Sequence, residues 1–190
     1  MKKTSFLLLC AALWPAAPLA RADSASPGIA GLVLRASGGA ALDLSAQVRA
    51  HKATVVIFYA AGCPCFAAHV ERLRQLAAEL GPRGVDFLVV DSERRASGEP
   101  PPRTEIAPGL PLVRDDGGAL ARRLGATYAT ESYIFDQAGR LRYHGGVDSD
   151  RKYLRTDAQP YLRQALAHLL AGDAPPFTST KALGCVLRLL

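Results

Sequence analysis

Residues 55–66, VVIFYAAGCPCF, decide the fold of this chain. An apolar and aromatic run leads through two alanines and a glycine to Cys63-Pro64-Cys65. We predict a strand over 53–60 that is buried on both faces, because continuous β-branched and apolar runs of this length are typical of such strands. The stretch therefore predicts a buried strand that delivers two cysteines to the first turn of a helix.

The segment after the cysteines has the apolar spacing of an amphipathic helix over 64–80. Its apolar positions are Phe66, Val70, Leu73, Leu76, Ala77 and Leu80. Pro64 fits the first helical position, where its missing N–H costs nothing, and Gly81-Pro82 ends the helix. A second buried strand is predicted over 85–90, so the three elements form a right-handed βαβ unit in a largely parallel sheet.

Weaker patterns flank this unit on both sides. Upstream, residues 32–34 and 41–44 are predicted as a hairpin, and Ser45 is predicted to cap a short helix to residue 50. Downstream, residues 92–109 are rich in Pro, Gly and charge and are predicted as an exposed connection with one helical turn at 104–107. The other predicted elements are a strand at 111–114, a helix at 118–124, an antiparallel hairpin at 132–136 and 141–144, and a final helix at 158–171.

The N-terminus has the pattern of a secretory signal peptide over residues 1–22. Lys2 and Lys3 precede an apolar run at 6–13, and Ala20-Arg21-Ala22 matches the cleavage pattern. The run is shorter than the ~20 residues that a membrane span needs. We therefore expect a periplasmic or secreted protein with no membrane span after cleavage, a flexible lead-in at 23–30, one domain at 31–172 and a C-terminal tail at 173–190.

The number of cysteines and the net charge restrict the classes of function that the chain could have. Cleavage would remove Cys10 and leave Cys63, Cys65 and Cys185 in a compartment that permits disulfides. An odd number means that at least one thiol is free, metal-bound or exchanging with a partner. Cleavage would also lower the formal net charge from +6 to +3, and the arginines form no basic stripe with aromatic residues, so we expect no nucleic-acid partner.

The position of Cys63 just before a helix favours its thiolate form, because unpaired backbone N–H groups and the positive end of the helix dipole face it. A disulfide between Cys63 and Cys65 would close a very small ring stiffened by Pro64, so we expect it to be strained and easily reduced. That combination suits a redox centre better than a structural staple. The alternative is that both cysteines are ordinary small buried residues.

Three segments bear a resemblance to known proteins. The residues Phe58-Tyr59-Ala60-Ala61-Gly62-Cys63 resemble the approach to the active site of thioredoxin-like proteins. Residues 129–148 resemble the matching hairpin of the secreted bacterial redoxin branch (alkyl hydroperoxide reductase/thiol-specific antioxidant-like), and residues 180–185 are similar to a tail of that branch. The resemblance implies an α/β thioredoxin-like fold with a central mixed sheet flanked by helices, an N-terminal hairpin extension and a Cys-bearing tail.

The same resemblance implies an exported thiol-disulfide oxidoreductase that uses redox-active cysteines and no other cofactor. Its partners would be protein or small-molecule thiols and disulfides, with an unidentified reductant or oxidant protein. Cys63 would attack and form a mixed disulfide, and Cys65 would resolve it. Cys185 is either an alternative resolving thiol or a partner for whichever active-site cysteine is left over, and the other interpretation is a free thiol in a frayed tail. Both the 63–65 and the 185 pairings therefore stay open. Tyr59, Pro64, Thr130 and Glu131 would shape the substrate groove.

Three positions depart from the pattern of the relatives. The common C-x-x-C motif would place its second cysteine at Phe66, but here the spacing is C-x-C. Peroxiredoxins carry Thr or Ser where Ala60 stands, which disfavours a dedicated peroxidase. Thioredoxins have a cis-proline at the position of Thr130, and without proline we expect a trans bond there.

Other functions remain as alternatives. His69 lies four residues after Cys65, and we favour a solvated side chain over one that faces the thiols. If it does face them, Cys63, Cys65 and His69 would suit Cu(I) delivery, although Met1 is the only methionine. A thiol peroxidase and a non-catalytic interaction domain are the remaining alternatives. Asp91 would either approach the site or cap its strand.

Overall fold

A computed structural model describes residues 28–36, 38–94 and 105–189. The predicted signal peptide, most of the lead-in and the middle of the 92–109 connection lie outside these residues. Within the described residues, no helix has both the length and the apolar character that crossing a bilayer requires.

The described chain forms eight strands and four helices, which we number in chain order. They are β1 (Val33–Arg35), β2 (Ala41–Asp43), α1 (Leu44–Ala50), β3 (Ala53–Tyr59), α2 (Pro64–Leu80), β4 (Val85–Asp91), β5 (Glu105–Ala107), β6 (Leu110–Arg114), α3 (Ala119–Leu124), β7 (Ser132–Asp136), β8 (Leu141–Gly145) and α4 (Tyr161–Ala171).

The strands form one mixed sheet in the order β2-β1-β6-β4-β3-β7-β8, with β5 paired to β6. The strand before the cysteines, β3, is interior to this sheet: Val55 lies opposite Phe87 of the parallel β4 and opposite Ile134 of the antiparallel β7. The helices flank the sheet. This arrangement confirms the predicted α/β thioredoxin-like fold, including the N-terminal hairpin of β1 and β2.

Burial is deepest around β3. Every residue of β3 except Tyr59 is buried, and β7 is buried along its whole length. Helix α2 adds a buried stripe that includes Leu73, Leu76 and Leu80. Burying one such side chain stabilises the fold by roughly 2 kcal/mol. The end of β3, and with it Cys63, is therefore held by a strand that is buried in the core.

Three local predictions are wrong. Asp43, not Ser45, caps α1, because its carboxylate accepts from the Ala46 N–H at 3.1 Å. The predicted helical turn at 104–107 is instead the strand β5, which the neighbouring β6 pairs. Helix α4 begins at Tyr161 rather than at residue 158, since a proline at 160 disfavours helical backbone in the residue before it.

Candidate active site

Cys63 is the N-cap of α2, as predicted. Its Sγ accepts the backbone N–H of Phe66 at 3.4 Å, and Pro64 takes the first helical position. The chain reaches this cap through a tight turn in which Gly62 has φ +71° and the Cys63 N–H donates to Ala60 O at 3.2 Å. Strand, turn and helix cap together fix the sulfur at the positive end of the helix.

Cys63 is bonded to Cys185, not to Cys65. The two Cα atoms lie 6.0 Å apart, although the residues are separated by 122 positions in the sequence. Of the two pairings that the sequence left open, the structure contains the one that reaches the C-terminal tail. The alternative of a free Cys185 thiol in a frayed tail is excluded by this bond.

The tail is held against the core by backbone hydrogen bonds as well as by the disulfide. The N–H of Ala129 donates to Cys185 O at 2.8 Å, and the N–H of Leu187 donates to Thr127 O at 2.8 Å. Leu187 is buried. Further along, the carboxylate of Glu93 accepts from the backbone and the guanidinium of Arg188 at 3.0 to 3.2 Å. These contacts place Cys185 over the start of α2.

Cys65 supplies a third sulfur at the same place. It is buried in the first turn of α2 with a free thiol. The Sγ atoms of Cys63, Cys65 and Cys185 all lie within 4.8 Å of one another. The site therefore contains one disulfide and one thiol close enough to exchange with it after a small movement.

His69 is buried at 1% exposure, so the predicted solvated side chain is wrong. Its Nδ1 lies 2.7 Å from Cys65 O, and its Nε2 lies 3.1 Å from an oxygen of Asp148. Burial lowers the pKa of His69, but the hydrogen bonds to Asp148 and to the Cys65 carbonyl outweigh it, and the net pKa is raised above 6.5. Because both partners only accept hydrogen bonds, both ring nitrogens are best satisfied in the protonated imidazolium.

This use of both nitrogens leaves His69 no lone pair for a metal in this conformation. Its contribution is structural: it joins the first turn of α2 to the segment after β8. Of the residues proposed for Cu(I), only the two cysteines meet at the site, and Cys185 takes the place predicted for the histidine.

The polar cluster that holds this histidine is not among the residues predicted from the sequence. Asp148 also accepts from Arg72 at 2.5 Å, and Arg72 reaches on to Asp150 at 3.3 Å. Asp150 in turn accepts from the backbone and side chain of Arg155 at 2.7 and 2.9 Å. The cluster ties the loop at 149–155 to α2. The signal in the sequence was the three-residue spacing of His69 and Arg72, which places both on one helix face.

The residues predicted to shape the substrate groove differ in their exposure and contacts. Pro64 is exposed beside the disulfide, whereas Tyr59 is half-buried with its ring edge-on to Phe66 at 5.0 Å between centroids. Thr130 is buried in a trans peptide with φ +75°. Its N–H donates to Phe58 O at 2.8 Å and its hydroxyl donates to Leu183 O at 3.3 Å, so Thr130 binds both β3 and the tail.

The carboxylates of Glu131 and Asp91 both accept hydrogen bonds from other groups of the protein. The carboxylate of Glu131 accepts from the N–H groups of Thr127 and Tyr128 at 2.9 and 3.2 Å and from the hydroxyl of Tyr133 at 2.9 Å. It thereby shapes the loop on which the tail lies. Asp91 is buried at the end of β4, where it accepts from the Glu93 N–H at 3.1 Å. Of the two roles predicted for Asp91, this contact agrees with the strand-end cap.

A cavity of about 540 Å³ opens beside the disulfide. Its lining combines two of the three cysteines with a charged loop. The lining residues are Pro64, Cys65, Ser149, Asp150, Arg151, Lys152, Tyr153, Arg155, Leu183 and Cys185. A substrate that enters here would meet Cys65 and Cys185 directly.

The sequence model of the family described as Redoxin matches residues 17–162. That range covers most of the chain and includes Cys63 and Cys65. It ends before Cys185. A search of curated protein sequences found no match.

Solved structures with the same fold cover between 71% and 87% of this chain. A hypothetical protein from Sinorhizobium meliloti is 22% identical, covering 87% of this chain and 94% of its own, with a TM-score of 0.73. An uncharacterized conserved protein from Geobacillus kaustophilus is 23% identical, covering 87% and 92%, also at 0.73. The exposed lipoprotein thioredoxin of Streptococcus pneumoniae is 20% identical, covering 71% and 96%, at 0.52. At these identities the likeness shows the fold.

Proposed function

Because this chain belongs to the redoxin family and is a thiol oxidoreductase, we propose that it is an exported thiol-disulfide oxidoreductase whose working pair is Cys63 and Cys185. The observation that carries the proposal is the disulfide between these two cysteines at the N-terminus of α2. The signal-peptide pattern of residues 1–22 supports export to the periplasm or beyond the cell.

The reaction begins from the reduced protein. The Cys63 thiolate attacks one sulfur of a substrate disulfide, a Cys63–substrate bond forms, and the other substrate sulfur leaves as a thiolate that takes up a proton. The Cys185 thiolate then attacks Cys63 Sγ, the bond to the substrate breaks, and the Cys63–Cys185 disulfide forms. Two electrons pass from the protein to the substrate, and the reverse steps oxidise a substrate dithiol.

Local electrostatics support Cys63 as the attacking group. The Phe66 N–H and the helix dipole both stabilise negative charge on its Sγ. Cys185 has no helix behind it, since it lies in the extended tail. Cys65, proposed from the sequence as the resolving thiol, is a third thiol outside the bonded pair. Ala60 supplies no hydroxyl beside Cys63, which favours disulfide substrates over peroxides.

The test replaces each cysteine by serine and measures disulfide reduction with insulin, together with alkylation mass spectrometry of the oxidised and reduced forms. We expect Cys63→Ser to lower the rate by about 100-fold or more, since no other group replaces the nucleophile. Cys185→Ser should accumulate a mixed disulfide on Cys63. Cys65→Ser is the matched control and should keep the 63–185 bond. An active Cys63→Ser protein would overturn the assignment.

A second candidate function is Cu(I) binding by the reduced chain. The observation in its favour is the cluster of three sulfurs within 4.8 Å, because soft thiolates select Cu(I). Titration of the reduced protein with Cu(I) against a competing chelator should then give one ion per chain, and Cys185→Ser should weaken the binding. If the reduced wild type takes up no Cu(I), this candidate is excluded.

A further inference from the structure

The cavity beside the disulfide is lined by one of the two bonded cysteines and not by the other. Cys185 lines it and is half-buried, whereas Cys63 is absent from its lining and is 5% exposed. A molecule in the cavity therefore approaches the disulfide from the Cys185 side.

The rim of this cavity is cationic. Arg151 and Lys152 are exposed, and neither forms an ion pair among the described residues. Lys152 lies over the ring of Tyr153 at 5.3 Å from the centroid, which leaves its charge available to solvent. The one lining carboxylate, Asp150, is buried and already neutralised by Arg72 and Arg155. The unbalanced charge at the entrance is positive.

We propose that this cavity receives a low-molecular-weight thiol that carries carboxylates, and that this thiol reduces the disulfide by attacking Sγ of Cys185. The inference rests on the proposed function, because it assigns the electron donor for that same disulfide. A volume of about 540 Å³ lies in the range of small-molecule sites. The positive rim attracts a negatively charged donor and raises its local concentration.

The reaction balances without any further reagent. The donor thiolate attacks Cys185 Sγ, a donor–Cys185 bond forms, the Cys63–Cys185 bond breaks, and Cys63 leaves as a thiolate. A second donor thiolate then attacks the donor sulfur of this mixed disulfide, which releases the oxidised donor and the Cys185 thiolate. Two donor molecules supply two electrons, and their protons pass to the two cysteines.

The cap of α2 favours this direction of attack. A disulfide opens faster when the leaving sulfur forms the more stable thiolate. Cys63 has the Phe66 N–H at 3.4 Å and the positive end of a 17-residue helix, whereas Cys185 has neither. Attack on Sγ of Cys185, which lines the cavity, therefore expels Cys63, the better leaving group.

The test measures how fast four thiols reduce the oxidised protein: mercaptosuccinate, glutathione, 2-mercaptoethanol and cysteamine, each corrected for its thiolate concentration. In the wild type at low salt, mercaptosuccinate and glutathione, which carry carboxylates, should reduce the protein faster than neutral 2-mercaptoethanol. Cationic cysteamine should be the slowest of the four. In Arg151→Glu/Lys152→Glu, the ratio of the mercaptosuccinate rate to the 2-mercaptoethanol rate should fall about tenfold, an effect that salt screens.

A matched control carries the same change in net charge away from the cavity. Arg49 and Arg83 are exposed, and Arg83 follows the far end of α2, roughly 25 Å from its first turn. The variant Arg49→Glu/Arg83→Glu should keep the wild-type ratio. Equal ratios in the two double variants would overturn the charge selection by the cavity.

The site of attack is tested separately by trapping the glutathione adduct in Cys65→Ser, which prevents exchange with the third thiol. Mass spectrometry should place the adduct on Cys185, and an adduct on Cys63 would overturn the proposed direction. Failure of the proposed function has a different result: the wild type, reduced with dithiothreitol, would then show no insulin reduction whichever donor is preferred.

Discussion

Cys63 and Cys185 are 122 positions apart in the sequence, yet a disulfide joins them with 6.0 Å between their Cα atoms. One sits on a helix cap at the end of β3 and the other in a tail that crosses the loop at 127–129. The bond therefore couples the redox state of the site to the attachment of the tail.

Reduction of this disulfide should destabilise the fold. Closing a loop of this length removes about 4–5 kcal/mol of chain entropy from the unfolded state in the simple model, and about 2–4 kcal/mol is typical in practice. We expect the free energy of unfolding in urea to fall by about 3 kcal/mol on reduction. Cys65→Ser should show the same difference between its oxidised and reduced forms. Equal stability of both wild-type forms would contradict this coupling.

Gly184→Ala should displace the tail and disfavour the disulfide. A Cβ at residue 184 would overlap the carbonyl oxygen of Ala129, next to the N–H that binds Cys185. We expect a loss of roughly 2 kcal/mol, the cost typical of such overpacking, in the stability of the oxidised form. The equilibrium in dithiothreitol redox buffers should move toward the reduced form.

The matched control for this substitution is Gly81→Ala. Gly81 has φ −54° and open space around its Cβ position, so alanine should fit there without strain. A redox equilibrium that shifts equally in both variants would show that the close approach at Gly184 is not the cause.

His69→Gln should cost stability in a way that depends on pH. The folded-state pKa of His69 is raised, so its stabilising contribution is complete below about pH 6.5 and is lost as pH rises through the folded value. Burial raises the pKa of Asp148, but His69 and Arg72 outweigh it and the net pKa is lowered, so its contribution is present above pH 3.8 and lost as pH falls below.

Urea unfolding at several pH values measures this difference between wild type and His69→Gln. We expect a cost of about 2 kcal/mol at pH 5.5, the value typical of hydrogen bonds to charged groups, and a smaller cost at pH 9. A cost that stays constant or grows toward pH 9 would show that His69 is neutral in the folded protein.

Glu131→Ala should destabilise the loop that supports the tail. Its carboxylate accepts three hydrogen bonds, two from backbone N–H groups of the loop and one from Tyr133. The Tyr133 hydroxyl is buried and the two loop N–H groups are partly buried, so leaving these donors unpaired costs up to about 1–3 kcal/mol each. We expect a large fall in the urea midpoint and faster hydrogen exchange at residues 185–187. Glu131→Gln retains one acceptor oxygen and should lose much less.

The βαβ unit around the cysteines could be predicted because its signals are local. The apolar run of β3 and the 3.6-residue spacing of α2 depend on neighbours in the sequence, and the N-cap position of Cys63 follows from where one pattern gives way to the other. The same spacing in α2 also indicates that His69 is buried. His69 stands three residues after Phe66 and four before Leu73, on the stripe that the structure buries.

The sequence alone determined the strand and helix that hold Cys63, the presence of three cysteines after the predicted cleavage site and the redoxin resemblance. Only the tertiary structure decided which cysteine Cys63 is bonded to. That choice depends on how the tail packs against the loop at 127–129. These contacts join segments far apart in the chain, and no local periodicity encodes them, because their energies exist only after the sheet has brought the segments together.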